Sequence, residues 1–300
     1  MTAVIAVPEE LNDRTFESVI DQVAQHPADA RLIIDAHRTS FGTPYAFTAL
    51  LCLAQSRMTK PVFTVPEIHS TASYWARCGF FRFAEDLYEI HGKVPTIRSH
   101  GESDVWLPIT SITGSEDVHS VVGRIQERSE AILVNELKTD SRMIGRFAMT
   151  LSEACQNIVE HAGQGGWVMV QTYTWRSIGR RVVQIAVADA GVGFTASLAP
   201  SHARRFGDRW SDGRALEEAV VKGQSRFAEP GRGQGFTGIR RFLDHWDGKL
   251  TVRSGTARIA IIPSWERDAP QDVPKDVPLR EGLSSFPGAQ VQIIIPGKAA

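Results

Sequence analysis

Three polar side chains recur at a spacing of four: Glu153, Asn157 and His161 within Glu-Ala-Cys-Gln-Asn-Ile-Val-Glu-His-Ala. On a helix this spacing aligns a carboxylate, a carboxamide and an imidazole along one stripe. A carboxamide oxygen is a hard ligand suited to Mg²⁺, and a carboxylate can orient or deprotonate a water or hydroxyl. A solvated face of an amphipathic helix explains the same pattern. Downstream, Asp189-Ala190-Gly191-Val192-Gly193-Phe194 closes an apolar run, where a lone carboxylate is costly without a partner. Glycines let backbone approach a ligand closely, and a tight strand-to-helix turn would also use them. Further on, Gly231-Arg232-Gly233-Gln234-Gly235-Phe236 opens a helix, an arrangement whose backbone N–H groups bind phosphate oxygens. A dinucleotide fingerprint requires a strand immediately before such glycines. Residues 225–230 are polar and broken by Pro230, so that reading fails.

Taken in order, Glu-x-x-x-Asn, Asp-x-Gly-x-Gly and Gly-x-Gly-x-Gly resemble the GHKL ATPase superfamily over about residues 115–300. The resemblance implies an ATP- and Mg²⁺-binding domain. Asn157 would be the Mg²⁺ ligand, Glu153 the general base or water-orienting carboxylate, and His161 a residue near the phosphates. Asp189 would accept from the adenine amino group, with Gly191, Gly193 and Phe194 around the base. Gly231, Arg232, Gly233, Gly235 and Phe236 would form the phosphate loop. Glu160 departs from the family, where a basic residue is common at the matching position. Arg226 and Arg232 are either donors to the terminal phosphate or solvated charges.

The elements that must hold these groups follow from periodicity. An acidic first turn at Ser115-Glu116-Asp117 opens a helix to about residue 137. Its apolar side, including Val121, Val122 and Ile125, serves either a homodimer or interdomain contact, or packing on its own domain. The motif helix spans about 141–162. Strands are expected at 167–173, 180–188 and 290–296, with a hairpin at 249–253 and 257–262 turning at Ser254-Gly255. Residues 195–230 would be a lid, with a short helix at 213–222, and residues 263–287 an insertion loop. The expected fold is α+β: a mixed, mainly antiparallel sheet covered by helices.

Residues 1–98 alternate strand and helix: strands at 3–7, 31–36 and 61–65, helices at 13–26, 44–55 and 71–78. Thr43 reads as the cap of a helix with Pro44 in its first turn. Leu32-Ile33-Ile34-Asp35, Phe41-Gly42-Thr43-Pro44-Tyr45-Ala46 and Tyr74-Trp75-Ala76-Arg77-Cys78-Gly79-Phe80-Phe81 resemble a STAS domain, the fold of anti-sigma-factor antagonists. Proline stands where that family's switch serine is expected, which favours docking of a regulatory protein partner over phosphoswitching. Residues 99–114 read as a polar linker.

Composition bounds the rest. With 300 residues, 42% apolar and 22% charged, the chain is ordinary for two globular domains. A net charge of −1 gives no long-range pull toward nucleic acid or anionic membrane. No run approaches the ~20 apolar residues of a membrane span. The first five residues lack a signal peptide's basic-then-apolar layout, and Cys52, Cys78 and Cys155 read as buried core thiols. The chain therefore reads as cytoplasmic. None of its nine histidines precedes Glu or Asp, which argues against histidine autophosphorylation. The last strand falls near residue 300, so a following transducer domain of the topoisomerase, chaperone or repair kind is not expected. A signalling switch or serine/threonine kinase acting on a partner, and a nucleotide-gated interaction module without phosphotransfer, both remain open.

Overall fold

A computed structural model of the chain describes residues 2–96, 105–129, 142–175, 179–224, 235–268 and 275–297. The N-terminal part is built on a four-stranded parallel sheet of β1 (Thr2–Ala6), β3 (Arg31–Asp35), β5 (Val62–Thr64) and β6 (Glu89–His91), paired in that order. A short parallel pair joins β2 (Glu10–Leu11) to β4 (Phe41–Gly42). Consecutive parallel strands joined by right-handed crossovers carry their helices on a single face. Here these are α1 (Phe16–Val23), α2 (Pro44–Gln55), α3 (His69–Arg77) and α4 (Phe80–Leu87). The α4 helix was not expected from sequence. Gly79, at φ 82°, reverses the chain after α3 and lets a second helix start at once.

The larger sheet has seven strands in the order β12-β11-β10-β13-β9-β8-β7. They are β7 (Val105–Ile112), β8 (Gly166–Trp175), β9 (Arg180–Asp189), β10 (Lys249–Gly255), β11 (Ala257–Ile261), β12 (Leu279–Arg280) and β13 (Phe286–Pro296). Every pairing in it is antiparallel, so the expected mixed sheet is corrected. Its helices are α5 (Ser115–Ser129), α6 (Arg142–Asn157), α7 (Gly193–Phe206), α8 (Asp212–Leu216), α9 (Gly235–Trp246) and α10 (Ser264–Arg267). Residues 105–112, expected within a linker, are β7. Proline is tolerated there because β7 is an edge strand, and its pairing with β8 shifts register around Pro108. The α5 helix packs on α6 through Val118, Val121 and Ile125, so it serves its own domain's core. Residues 130–141 lie outside the described residues.

Strand alternation gives the large sheet two distinct faces. Val168, Val170, Val183, Ile185, Val187, Val291 and Ile293 pack under α5, α6 and α9. The other face takes α2, which lies across β8, β9 and β13 and is buried along its length from Pro44 to Ala54. A helix apolar all round needs cover on both sides, and α2 has it, between the two sheets. The cap is as expected: Thr43 Oγ1 accepts from the Ala46 amide at 3.4 Å.

The same face carries a buried ionic network. Arg258 reaches Asp13 at 2.5 Å and Asp276 at 2.7 Å, and Arg253 reaches Glu17 at 3.0 Å. Lys249 pairs with Glu266 at 2.7 Å and Asp276 at 3.0 Å, and Arg14 with Glu266 at 2.8 Å. Glu266 and Asp276 come from the expected insertion loop, which is thus a structural clamp. All three cysteines are buried and free, and burial raises the Cys78 and Cys155 thiols to about 12. Thiol-reactive dyes are expected to label none of them at neutral pH in the native protein and all three after denaturation, as a thiol count would show.

Candidate functional site

The motif helix positions the site. Phe147, Leu151, Ala154, Cys155 and Ile158 face the core, which fixes the rotation of α6 and turns Asn157 toward the sheet. The helix then widens into one π-helical turn, Ile158–Ala162, closed by Gly163 at φ 73°. Such turns recur at functional sites. The wider turn breaks the even four-residue stripe expected through His161, whose side chain lies outside the described residues.

Asp189 ends β9 between paired neighbours on both sides, Gly166 on β8 and Ala289 on β13. Its Oδ1 accepts from the Gly191 amide at 2.8 Å. Burial pushes its carboxyl up to about 6, against the backbone amides of Gly191 and Ala289, which pull it down. Asn157 and Asp189 line one pocket with Ala154, Ile158, Gly193 and Phe194. The pocket encloses only about 30 Å³, room for roughly two waters. Phe194 is half-buried on the wall, its ring centroid 5.7 Å from that of Phe236.

Close backbone packing explains two glycines. A Cβ on Gly191 would lie 2.0 Å from the Ala162 carbonyl oxygen, so the turn after β9 rests directly on the π-helical turn. Gly288 has φ 71°, and a Cβ there would lie 2.0 Å from the Asp189 carbonyl. Gly191→Ala is expected to cost about 1–3 kcal/mol by forcing these backbones apart, read as a lowered urea midpoint. Ser254 joins the same corner. It accepts from the Phe194 amide at 3.1 Å and donates to the Gly288 carbonyl at 2.8 Å.

The remaining expected residues fall differently. Glu153 lies on the exposed side of α6 and does not line the pocket. Phe236 is a core residue at the start of α9 rather than a pocket wall. Gly235 begins α9, whereas Gly231, Arg232 and Gly233 lie outside the described residues, as does Arg226. Within the expected lid, Gly193–Arg209 and Asp212–Val221 are helical and pack on β10, β11 and β13, with Leu198, Leu216, Ala219 and Val220 in the core. Asp212 fastens them, accepting from Thr195 Oγ1 and from the Thr256 amide at 2.7 Å.

Sequence reading did not assign Ser197, Ser254 or Val291 to this pocket. Residues 285–290 resemble the family's glycine-containing approach to the last strand, and of these Ala289 lines the pocket.

The residues present fit a magnesium nucleotide on two counts. Among the described residues the Asn157 carboxamide nitrogen is buried without a hydrogen-bond partner; buried polar atoms are normally paired, and this donor suits a nucleotide oxygen, whereas a metal would take the carboxamide oxygen. Beside Asp189, Gly193 lies on the pocket wall and adds no side chain to it. Among the described residues no cluster of three or more His, Cys, Asp or Glu could hold a metal by protein ligands alone.

Residues 144–275 match the family model described as histidine kinase-, DNA gyrase B- and HSP90-like ATPase. That stretch holds Glu153, Asn157, Asp189 and the glycine segment, and the match supports ATP binding by this part of the chain. It does not extend to the N-terminal sheet. A comparison with curated proteins gave no match. Among the described residues, no helix is long and apolar enough to cross a membrane.

Proposed function

We propose that the chain binds Mg²⁺–ATP between α6 and the ends of β9 and β13 and acts as a regulatory switch on a protein partner. The observation that carries this is the convergence of Asn157, with its unpaired carboxamide nitrogen, and Asp189 on one pocket. The Asp189 carboxylate would accept from the adenine amino group. Gly193 lies on the pocket wall beside the base, and the Asn157 carboxamide oxygen would hold the metal that offsets phosphate charge. His161 and the segment containing Gly231, Arg232, Gly233 and Gly235 are assigned to the phosphates. Residues 1–98 would be a STAS-like docking module and residues 115–300 the nucleotide domain, in a cytoplasmic protein.

Two fates of the terminal phosphate divide the reading. Transfer to a serine or threonine of a partner needs Glu153 as general base. The exposed position of Glu153, outside the pocket lining, favours the second fate, in which nucleotide binding alters partner contacts without phosphotransfer. Calorimetry with ATP, with and without Mg²⁺, tests the site. Asn157→Ala is expected to abolish the Mg²⁺ dependence, and wild type that binds no adenine nucleotide would sink the reading. γ-Labelled ATP with Glu153→Gln then separates the fates: turnover that drops about a hundredfold or more in the variant marks catalysis.

A further inference from the structure

The face of the large sheet opposite the nucleotide pocket holds a second cavity, where the N-terminal unit meets the strands. It encloses about 670 Å³, within the range of small-molecule sites. Gln184 and Asp189 are five residues apart on β9, so strand alternation points their side chains to opposite faces.

Three features define its chemistry. The first is an aromatic wall. Phe41 and Tyr173 meet edge to face at 6.1 Å, and Trp175 follows two residues along on the same face of β8. Phe41 and Trp175 are not sealed by the core, so they offer ring surface to an occupant. The second is a hydrogen-bond relay. Tyr173 donates to Gln184, and Gln184 donates through its amide nitrogen to Gln292. The relay ends at Gln292, which is 1% exposed and lines the cavity. Its carboxamide oxygen is taken by Gln184, so the amide nitrogen is the group this side chain has to offer a ligand acceptor.

The third is charge. Lys249, the deepest cation, is spent on Glu266 and Asp276, Arg14 pairs with Glu266, and Asp13 is held by Arg258. Glu10 adds an exposed carboxylate to the wall. Among the described residues the two cations of the wall, Lys249 and Arg14, are both ion-paired, and an added anion would meet Glu10 and Asp13.

We propose that this cavity is a second ligand site, which takes an uncharged planar heterocycle of about nucleoside size. Its ring lies against Phe41, Tyr173 and Trp175, and its carbonyl accepts from Gln292. The site is separate from the nucleotide pocket, and nothing in its argument depends on ATP binding there.

Matched probes test it on the full-length chain. Uridine and riboflavin are uncharged and lack adenine, and each has a phosphorylated counterpart, uridine monophosphate and flavin mononucleotide. Ligand-observed NMR for the uridine pair and fluorescence quenching for the flavin pair report binding. At least one uncharged probe is expected to bind in the micromolar to millimolar range, with its phosphorylated form about tenfold weaker or worse. Gln292→Leu and, on the more exposed wall, Trp175→Leu are each expected to weaken it by about tenfold. Far-UV circular dichroism confirms that each variant is folded, and Trp175→Leu decides alone if Gln292→Leu is not. The proposal is overturned if neither uncharged probe binds up to millimolar concentration, if the phosphorylated forms bind as tightly, or if the folded variants bind unchanged.

Discussion

Asp189→Asn is expected to weaken adenine-nucleotide binding by about ten- to a hundredfold while making the ligand-free protein more stable at neutral pH. The binding loss follows from replacing a charged acceptor by a neutral one at a buried donor–acceptor contact, worth about 1.5–3 kcal/mol. The stability gain follows from the raised carboxyl, at about 6 against an ordinary 3.8. A group that binds its proton more tightly when folded penalises the folded state wherever it is ionised. That penalty is fully present above pH 6, shrinks as pH falls toward 3.8 and is gone below it. Two pK units bound it at about 3 kcal/mol, so a gain of about 1–3 kcal/mol is expected at pH 8 and none at pH 3.5. Asparagine can still accept from the Gly191 amide, so the local turn survives. Urea unfolding at the two pH values, with calorimetry on the same samples, checks both halves. Equal stability of wild type and variant at pH 8 would remove the desolvation argument. In wild type, ATP affinity is expected to decline as pH drops through about 6 and Asp189 is protonated.

The second large effect is expected at Arg258. It is 2% exposed and bridges Asp13 from the N-terminal unit and Asp276 from the clamp. Removing one partner of a buried pair strands the others, at about 3–5 kcal/mol. Arg258→Ala is therefore expected to lower stability by that amount. Because Asp13 lies in the turn that leads into α1, hydrogen exchange should rise first in α1. Replacing Arg258, Asp13 and Asp276 together by apolar residues of similar volume is expected to restore most of the loss, since the pairing offsets desolvation more than it adds net stability. A triple variant as unstable as Arg258→Ala would show that the loss is packing rather than stranded charge. Burial alone would raise the Asp276 carboxyl, but Lys249 and Arg258 hold it below its ordinary value. Its contribution is thus present above that ordinary value and is lost as pH falls through the lowered one. Acid should loosen this interface, whereas at Asp189 it removes a penalty.

Much of the nucleotide half was legible because its signals are local. The apolar run in 180–188 and the alternating, then continuous apolar stretch in 290–296 marked β9 and β13, and the hairpin of β10 and β11 followed from Ser254-Gly255. Spacing put Glu153 and Asn157 on one helix, and the glycines near Asp189 marked close backbone approach. Local pattern could not show the π-helical turn that displaces His161. Nor could it show that Leu198, Leu216 and Val220 draw the expected lid into the core. The edge strand β7 was hidden for a physical reason: Pro108 disqualifies a central strand, and only the assembled sheet shows that β7 lies at its border.

The sequence by itself determined which side chains share a face. Lys249, Thr251, Arg253, Gln290 and Gln292 alternate with apolar residues, as on a sheet with one face in water. Only the tertiary structure decided that this polar face is buried. Burial of charge is tolerable when partners arrive to pair it, and here they arrive from far along the chain: Asp13 and Glu17 lie 245 and 236 residues from Arg258 and Arg253. The same placement creates the cavity, where Glu10, Asp13, Arg14 and Phe41 of the N-terminal unit meet the large sheet.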